Sequence, residues 1–96
     1  MTEKQLLAAV VELARYLGIL VYHTYDSRRS DPGVPDLVLA GTRGVLFAEL
    51  KTETGRTSHE QAGWRWRLTA AGAGWRLWRP RHLEDGTITR ELKVIA

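Results

Sequence analysis

Apolar and polar residues alternate along this chain with two different periods, which predict a long helix followed by strands. Apolar side chains recur every three or four residues across residues 2–17, the spacing of an amphipathic helix. The β-branched and aromatic residues at 19–25 predict a first strand. Two short apolar runs, at 37–40 and 45–50, flank a turn with glycine at both ends and therefore predict a hairpin of two strands.

The second half of the chain continues the alternation of helix and strand. Ser58 and Gln61 have the spacing of a capping box, so we expect a helix from there to about Ala71. Alternating polarity at residues 74–79 predicts a fourth strand. The tail, residues 82–96, fits a short helix and a β-strand equally well, and both alternatives stay open. This order of elements indicates the α/β class.

The composition describes a small protein with a modest positive charge. The chain has 96 residues, of which 44% are hydrophobic, so we expect a single domain over residues 1–96. Cysteine is absent, which excludes disulfides and thiolate zinc sites. No apolar stretch approaches membrane-spanning length and no signal-peptide pattern is visible, so we expect a cytoplasmic protein without membrane contact. The net charge is +3 and arginine outnumbers lysine, which supports a nucleic-acid partner.

Charged residues stand at one end of the predicted hairpin. Asp36 precedes the first strand, and Glu49 and Lys51, two residues apart, leave the second strand on one face. Neighbouring carboxylates in an apolar setting repel each other unless a cation such as Mg²⁺ neutralises them. A lysine beside them can contact a phosphate or orient a water. The alternatives are a solvated edge strand for Glu49 and Lys51 and a simple turn residue for Asp36.

These residues also resemble a known signature. Pro35-Asp36, twelve intervening residues and Glu49-Leu50-Lys51 resemble the PD-(D/E)XK nuclease motif. A longer set, from Glu3 to about Pro80, resembles the VRR-NUC family within that superfamily. It comprises Gly33-Val34-Pro35-Asp36, Glu49-Leu50-Lys51-Thr52, Gly55-Arg56, and Ser58 to Gln61 with Trp64. The resemblance implies a restriction-endonuclease-like core, in which a mixed sheet of about four strands is flanked by helices.

The family resemblance further implies a function and its cofactor. It indicates an endonuclease that uses Mg²⁺ or Mn²⁺ to hydrolyse DNA phosphodiester bonds. No zinc finger or helix-turn-helix is visible in the sequence, so we expect selection by DNA structure, such as a flap or a four-way (Holliday) junction, rather than by bases. The small stand-alone members of the family cut DNA symmetrically, as a dimer would. The resemblance therefore leads us to expect a homodimer.

The resemblance adds site residues outside the hairpin. Glu3 stands where a family acid from the first helix joins the metal site, and the main-chain carbonyl of Leu50 is a further expected ligand. Gln61 stands where a family glutamine approaches the catalytic lysine. The predicted catalytic residues are Asp36, Glu49, Lys51 and Gln61, and the predicted metal ligands are Asp36, Glu49, Leu50 and Glu3. As alternatives, Glu3 serves only the helix dipole and Gln61 only caps its helix; we expect one side chain not to satisfy both roles of Gln61.

Polar residues near the acids are candidate DNA contacts. Arg28, Arg29 and Ser30 lie in the loop before Asp36, and Arg56 follows Lys51 by five residues, so we expect these four to hold the DNA backbone.

Other residues and other functions stay open. We expect Trp64 in the core and Trp66 pointing elsewhere, while a lone His23 in a strand is more often packed than catalytic. Two alternatives to the nuclease are a noncatalytic nucleic-acid-binding module with the same fold and a structural or interaction protein.

Overall fold

The elements of the chain follow the predicted order. The computed structural model describes residues 1–24 and 29–96. Its elements are α1 Glu3–Tyr16, β1 Leu20–His23, β2 Leu37–Ala40, β3 Val45–Leu50, α2 His59–Ala70, β4 Gly74–Trp78, α3 Pro80–Glu84 and α4 Thr87–Ile95. The hairpin and both long helices are confirmed. Over the described residues, no helix is both long and apolar enough to cross a membrane.

The tail, for which helix and strand were open alternatives, forms the two helices α3 and α4. Pro80 begins α3 at a position where its missing N–H is not needed, and Gly86, at φ 84°, separates the two helices. Ile88, Leu92 and Ile95 of α4 are buried at spacings of four and three residues. The nine-residue helix is too short, and too rich in β-branched residues, for its period to be decisive in the sequence.

The four strands form one mixed sheet in the order β1-β2-β3-β4. Strand β2 pairs with β1 and with β3 in antiparallel fashion, whereas β4 is parallel to β3. The β2–β3 hairpin closes through a bond from the Gly41 N–H to the Gly44 carbonyl at 2.9 Å. A parallel neighbour needs a crossover, which α2 provides. The expected mixed sheet of about four strands is thus confirmed.

One face of the sheet carries the core. Cross-strand partners point to the same side, so Leu39 and Leu46 belong to one face, on which α1 and α4 pack. The α1 residues Leu6, Val10 and Ala14 are fully buried there. The core comprises Leu6, Val10, Ala14, Ile19, Leu37, Leu39, Leu46, Ala48, Leu50, Trp78, Ile88, Leu92 and Ile95. We call this side the inner face.

Helix α2 lies on the opposite side, which we call the outer face, and packs on β4. It contains no buried residue, and the prediction that Trp64 belongs to the core is wrong. Trp64 is half-buried, and its indole N–H donates to the Pro32 carbonyl at 3.1 Å. Trp66 is 68% exposed, as expected for a residue pointing elsewhere. Helix α2 packs on β4, which is an edge strand of the sheet. Its contacts with the loop before β2 are therefore polar, in place of a buried apolar face.

Candidate active site

The hairpin register brings the two acids to the same end of the sheet. Leu37 pairs with Ala48, so Asp36 and Glu49, the next residue on each strand in that direction, lie side by side. The Leu50 N–H donates to Oδ2 of Asp36 at 2.8 Å. That bond holds the Asp36 carboxylate against the end of β3.

Glu49 is a carboxylate buried in the sheet, with 3% of its surface exposed. Its Oε1 accepts a hydrogen bond from the Gln61 side-chain amide at 2.7 Å. Its Oε2 is buried and has no hydrogen-bond partner among the described residues. Burial first, and then the negative charge of Asp36, raise the pKa of Glu49 to about 8, while the positive charge of Lys51 opposes the increase. The pair therefore favours a shared proton or a cation.

Gln61 both caps α2 and reaches the acids. Its Oε1 accepts from the Ser58 N–H at 2.8 Å, its own main-chain N–H donates to the Ser58 hydroxyl at 3.1 Å, and its amide nitrogen donates to Glu49. The prediction that capping and the site exclude each other is wrong. A carboxamide accepts at its oxygen and donates at its nitrogen, so one side chain serves both partners.

Close packing of two main-chain segments sets the start of α2 beside this pair. Gly33 has φ 83°, and a Cβ at this position would lie 2.3 Å from the carbonyl carbon of Glu60. Only glycine lets the loop before Asp36 approach the first turn of α2 so closely. The glycine of the sequence motif thus has a packing role that places Gln61 near the hairpin.

A cleft of about 420 Å³ surrounds the two acids. Its lining residues are Glu3, Lys4, Leu7, His23, Thr24, Asp36, Glu49, Leu50, Lys51 and Gln61. The six predicted catalytic and metal-binding residues therefore share one cleft, while their roles stay predictions. Lys4 and Thr24 were not singled out in the sequence; the only signal for Lys4 is its position next to Glu3 at the start of α1.

Glu3 reaches the site from the first turn of α1. Burial and the charge of Asp36 raise the pKa of its carboxyl group, whereas Lys51 lowers it. The charges of Asp36 and Lys51 therefore both affect the carboxyl group of Glu3. Glu3 therefore lies within electrostatic range of the hairpin residues, while its role as a metal ligand stays a prediction.

The donor set fits a small divalent cation. Across residues 1–24 and 29–96, no group of three or more histidine, cysteine, aspartate or glutamate side chains forms a ready metal cage. Mg²⁺ in phosphate chemistry usually takes one or two carboxylates and keeps several waters, and Mn²⁺ also suits oxygen ligands. Asp36 and Glu49 supply these two carboxylates. The buried Oε2 of Glu49 has no hydrogen-bond partner among the described residues and is available to a cation.

The expected DNA contacts lie away from the cleft lining or outside the described residues. Arg28 belongs to the segment that the structure does not describe. Arg29 and Arg56 are exposed and Ser30 is half-buried, and none of the three lines the cleft. Exposed arginines can still reach a long polymer bound there, so the structure leaves this prediction untested.

Comparison with known proteins identifies the fold. No protein-family model and no curated protein matches the sequence. A solved structure described as "VRR_NUC domain" has a TM-score of 0.71 and 24% identity, covering 91% of this chain and 96% of its own. Another, described as "VRR_NUC domain protein", has a TM-score of 0.72 and 16% identity, covering 98% of this chain and 90% of its own. The chain thus has the fold of these VRR_NUC structures.

Proposed function

We propose that this protein is a VRR-NUC nuclease that depends on Mg²⁺ or Mn²⁺ and hydrolyses DNA phosphodiester bonds. The observation that carries the proposal is the buried Glu49 carboxylate beside Asp36, in a cleft also lined by Lys51. Two adjacent carboxylates destabilise a fold unless they share a proton or hold a cation. A cation-binding role explains why they stand together at the end of an apolar hairpin.

The chain's own residues divide the work of hydrolysis. Asp36 and Glu49 would hold the ion, with the Leu50 carbonyl and Glu3 as further ligands. The bound ion would supply Lewis acidity and lower the pKa of water. Lys51 would orient the attacking water and stabilise the negative charge that develops on the phosphate. Gln61 would keep the Glu49 carboxylate in place through its 2.7 Å hydrogen bond.

Recognition of the substrate would depend on the DNA backbone. Arg28, Arg29, Ser30 and Arg56 would contact phosphates, which fix position without reading sequence. We therefore propose selection of branched, flapped or four-way junction DNA by shape. This part of the proposal rests on the family resemblance and on the exposure of Arg29 and Arg56.

A homodimer is the assembly we propose, through the open part of the outer face. Leu20 pairs with Ala40 and Tyr22 with Val38 across the β1–β2 ladder, so all four point to the side away from the core. Leu20 is 76% exposed and Tyr22 65% exposed. An exposed apolar patch commonly marks an interface. Because these side chains carry no charge, two copies can meet there without repulsion, and two sites could then cut both strands.

A cleavage assay tests the function. Labelled linear, flapped and four-way DNA would be incubated with Mg²⁺, with Mn²⁺ and with chelator, using wild type and Lys51→Ala. We expect products only with metal and wild type, and most from branched DNA. Tight, salt-sensitive binding without product on any substrate would instead identify a noncatalytic nucleic-acid-binding module. A single species of monomer mass in sedimentation at micromolar concentration would contradict the dimer.

A further inference from the structure

The segment that follows Lys51 forms a closed turn. The Gly55 N–H donates to the Thr52 hydroxyl at 3.0 Å and to the Thr52 carbonyl at 3.3 Å. The main-chain N–H of Arg81 donates to a Glu53 carboxylate oxygen at 3.0 Å, which ties the turn to the start of α3. We call residues 52–55 the lysine turn. Its shape is therefore set by local bonds and by contacts with the chain after β4.

The lysine turn lies beside the side chain of Lys51. A Cβ at Gly55 would lie 3.5 Å from both Cβ and Cδ of Lys51, which is ordinary van der Waals contact. Gly55 therefore rests beside the aliphatic part of the lysine side chain. A turn held in this place restricts the rotamers of a flexible four-carbon side chain.

Arg79 holds the lysine turn from the other side. Its Nη1 donates to the Thr52 carbonyl at 2.6 Å and to the Gly55 carbonyl at 2.8 Å, which are the two ends of the turn. Arg79 is half-buried and follows Trp78, whose carbonyl accepts from the Lys51 N–H at 3.1 Å. The end of β4 thus fixes both the main chain of Lys51 and the turn against its side chain.

We propose that Arg79 is a positioning residue for the ammonium group of Lys51. Its guanidinium closes residues 52–55 on the lysine side chain and keeps the ammonium directed into the cleft. Hydrogen bonds from a charged donor are among the stronger ones in proteins. Two such bonds from Arg79 to the same turn fix the orientation of that turn. This inference rests on the proposed function for its consequence in catalysis, whereas the contact between Arg79 and the lysine turn does not depend on it.

The test compares Arg79→Ala with Arg81→Ala. Arg81 is an exposed arginine two residues away that contacts Glu53 through its main chain, so alanine keeps that bond. We expect Arg79→Ala to lower the single-turnover rate with Mg²⁺ by about 100-fold, the loss typical of a misplaced catalytic group. DNA affinity without metal should stay within about twofold, because the phosphate contacts remain. Arg81→Ala should match wild type in the rate.

Two further measurements separate positioning from a general loss of structure. Ethylguanidinium added to Arg79→Ala should restore part of the rate, and added to Lys51→Ala it should restore none. Arg79→Lys keeps the charge and one donor group, so its rate should fall between those of wild type and the alanine variant. If Arg79→Ala does not fold, Arg79→Lys can be compared with wild type in its place.

A readout without cleavage keeps the inference independent of the proposed function. The chain has only three lysines, Lys4, Lys51 and Lys93, so carbon-13 labelling of lysine gives few side-chain signals, and Lys51→Ala assigns one of them. We expect the Lys51 signal to shift and sharpen in Arg79→Ala and to stay unchanged in Arg81→Ala. An unchanged Lys51 signal, or a cleavage rate within threefold of wild type, would overturn the role of Arg79. If wild type cleaves nothing, the nuclease proposal fails while the lysine signal still decides this one.

Discussion

The inner and outer faces of the sheet are closed by different kinds of contact. On the inner face, α1 and α4 pack fully buried residues such as Leu6, Leu39 and Leu92 into one cluster. On the outer face, α2 has no buried residue and is tied by Gln61 to Glu49 and by Trp64 to the loop before β2. Apolar burial supplies most of the stability, so the inner face carries the fold. Polar contacts gather instead where α2 meets the end of the sheet, at Gln61 and Glu49.

The largest expected effect follows from this division, because a substitution in the candidate site should abolish activity and leave the folded structure intact. We expect Lys51→Ala to reduce cleavage by at least about 1,000-fold, since water orientation and charge stabilisation are lost together. Its melting temperature, and the increase in melting temperature on adding Mg²⁺, should stay close to wild type. Cleavage assays and thermal melts with and without Mg²⁺ measure the three quantities. Cleavage comparable to wild type would remove the lysine from the mechanism.

A pair of leucines compares the two faces directly. Leu39 is fully buried on the inner face and Leu20 is 76% exposed on the outer face, on adjacent strands. We expect Leu39→Ala to lower the free energy of unfolding by about 2–5 kcal/mol through a lost core contact and a cavity. Leu20→Ala should lower it by less than about 0.5 kcal/mol, measured by urea unfolding at concentrations where the protein is monomeric. Equal losses would show that the outer face is covered in the folded monomer.

Sequence patterns predicted elements more reliably than the surfaces those elements cover. The hairpin follows from local alternation and from the glycines of its turn, and both long helices follow from apolar period and capping boxes. Whether a neighbour covers a given face is a tertiary property, so exposure of Leu20 and the half-burial of Trp64 were not predictable from period. The double role of Gln61 was missed because its two partners, Ser58 and Glu49, meet only in the folded chain.

The candidate site could be predicted further than the contacts that support it. Gly33, Asp36 and the Glu49-Leu50-Lys51 motif stand close together in the sequence. The β2–β3 hairpin then brings Asp36 beside Glu49. Glu3 and Gln61 required the family resemblance, since they come from helices distant in the chain. Arg79 gave no signal, because an arginine that binds two main-chain carbonyls leaves no pattern in a sequence.

Stability should also depend on pH at the acid pair when no metal is present. The pKa of Glu49 is raised from its ordinary value of 4.5 to about 8, so the folded protein keeps a proton that the unfolded chain releases within this range. The folded state binds more protons there, and stability therefore falls as pH rises from about 5 to about 8. Melting temperatures in chelator across this range measure the effect.

Glu49→Gln serves as the control for that titration. Glutamine has no titrating group, so its melting temperature should change much less between pH 5 and 8 than that of wild type. Saturating Mg²⁺ should reduce the slope of wild type, because the ion favours the ionised carboxylate. A wild-type slope that glutamine leaves unchanged would assign the pH dependence to another group.

Asp36→Asn sharpens the same comparison with a smaller effect. The Leu50 N–H, which donates to Asp36 at 2.8 Å, can also donate to an asparagine oxygen, so the local structure should remain. Loss of the repulsion between carboxylates should raise the melting temperature in chelator by a few degrees, consistent with about 1 kcal/mol. The increase on adding Mg²⁺ should disappear. A decrease of several degrees in chelator would show that the Asp36 charge has a structural partner instead.

The smallest expected effects belong to the exposed arginines that we propose contact DNA, because each would contribute a single charge. Arg29→Glu and Arg56→Glu should each weaken DNA binding several-fold without changing the melting temperature. Losing one phosphate contact lowers the slope of log affinity against log salt by about 0.9. Arg15→Glu makes the same change of charge in the exposed last turn of α1, at a residue that does not line the cleft, and controls for net charge. Equal slopes for all three variants would mean that DNA responds to the overall charge and that Arg29 and Arg56 make no specific contact.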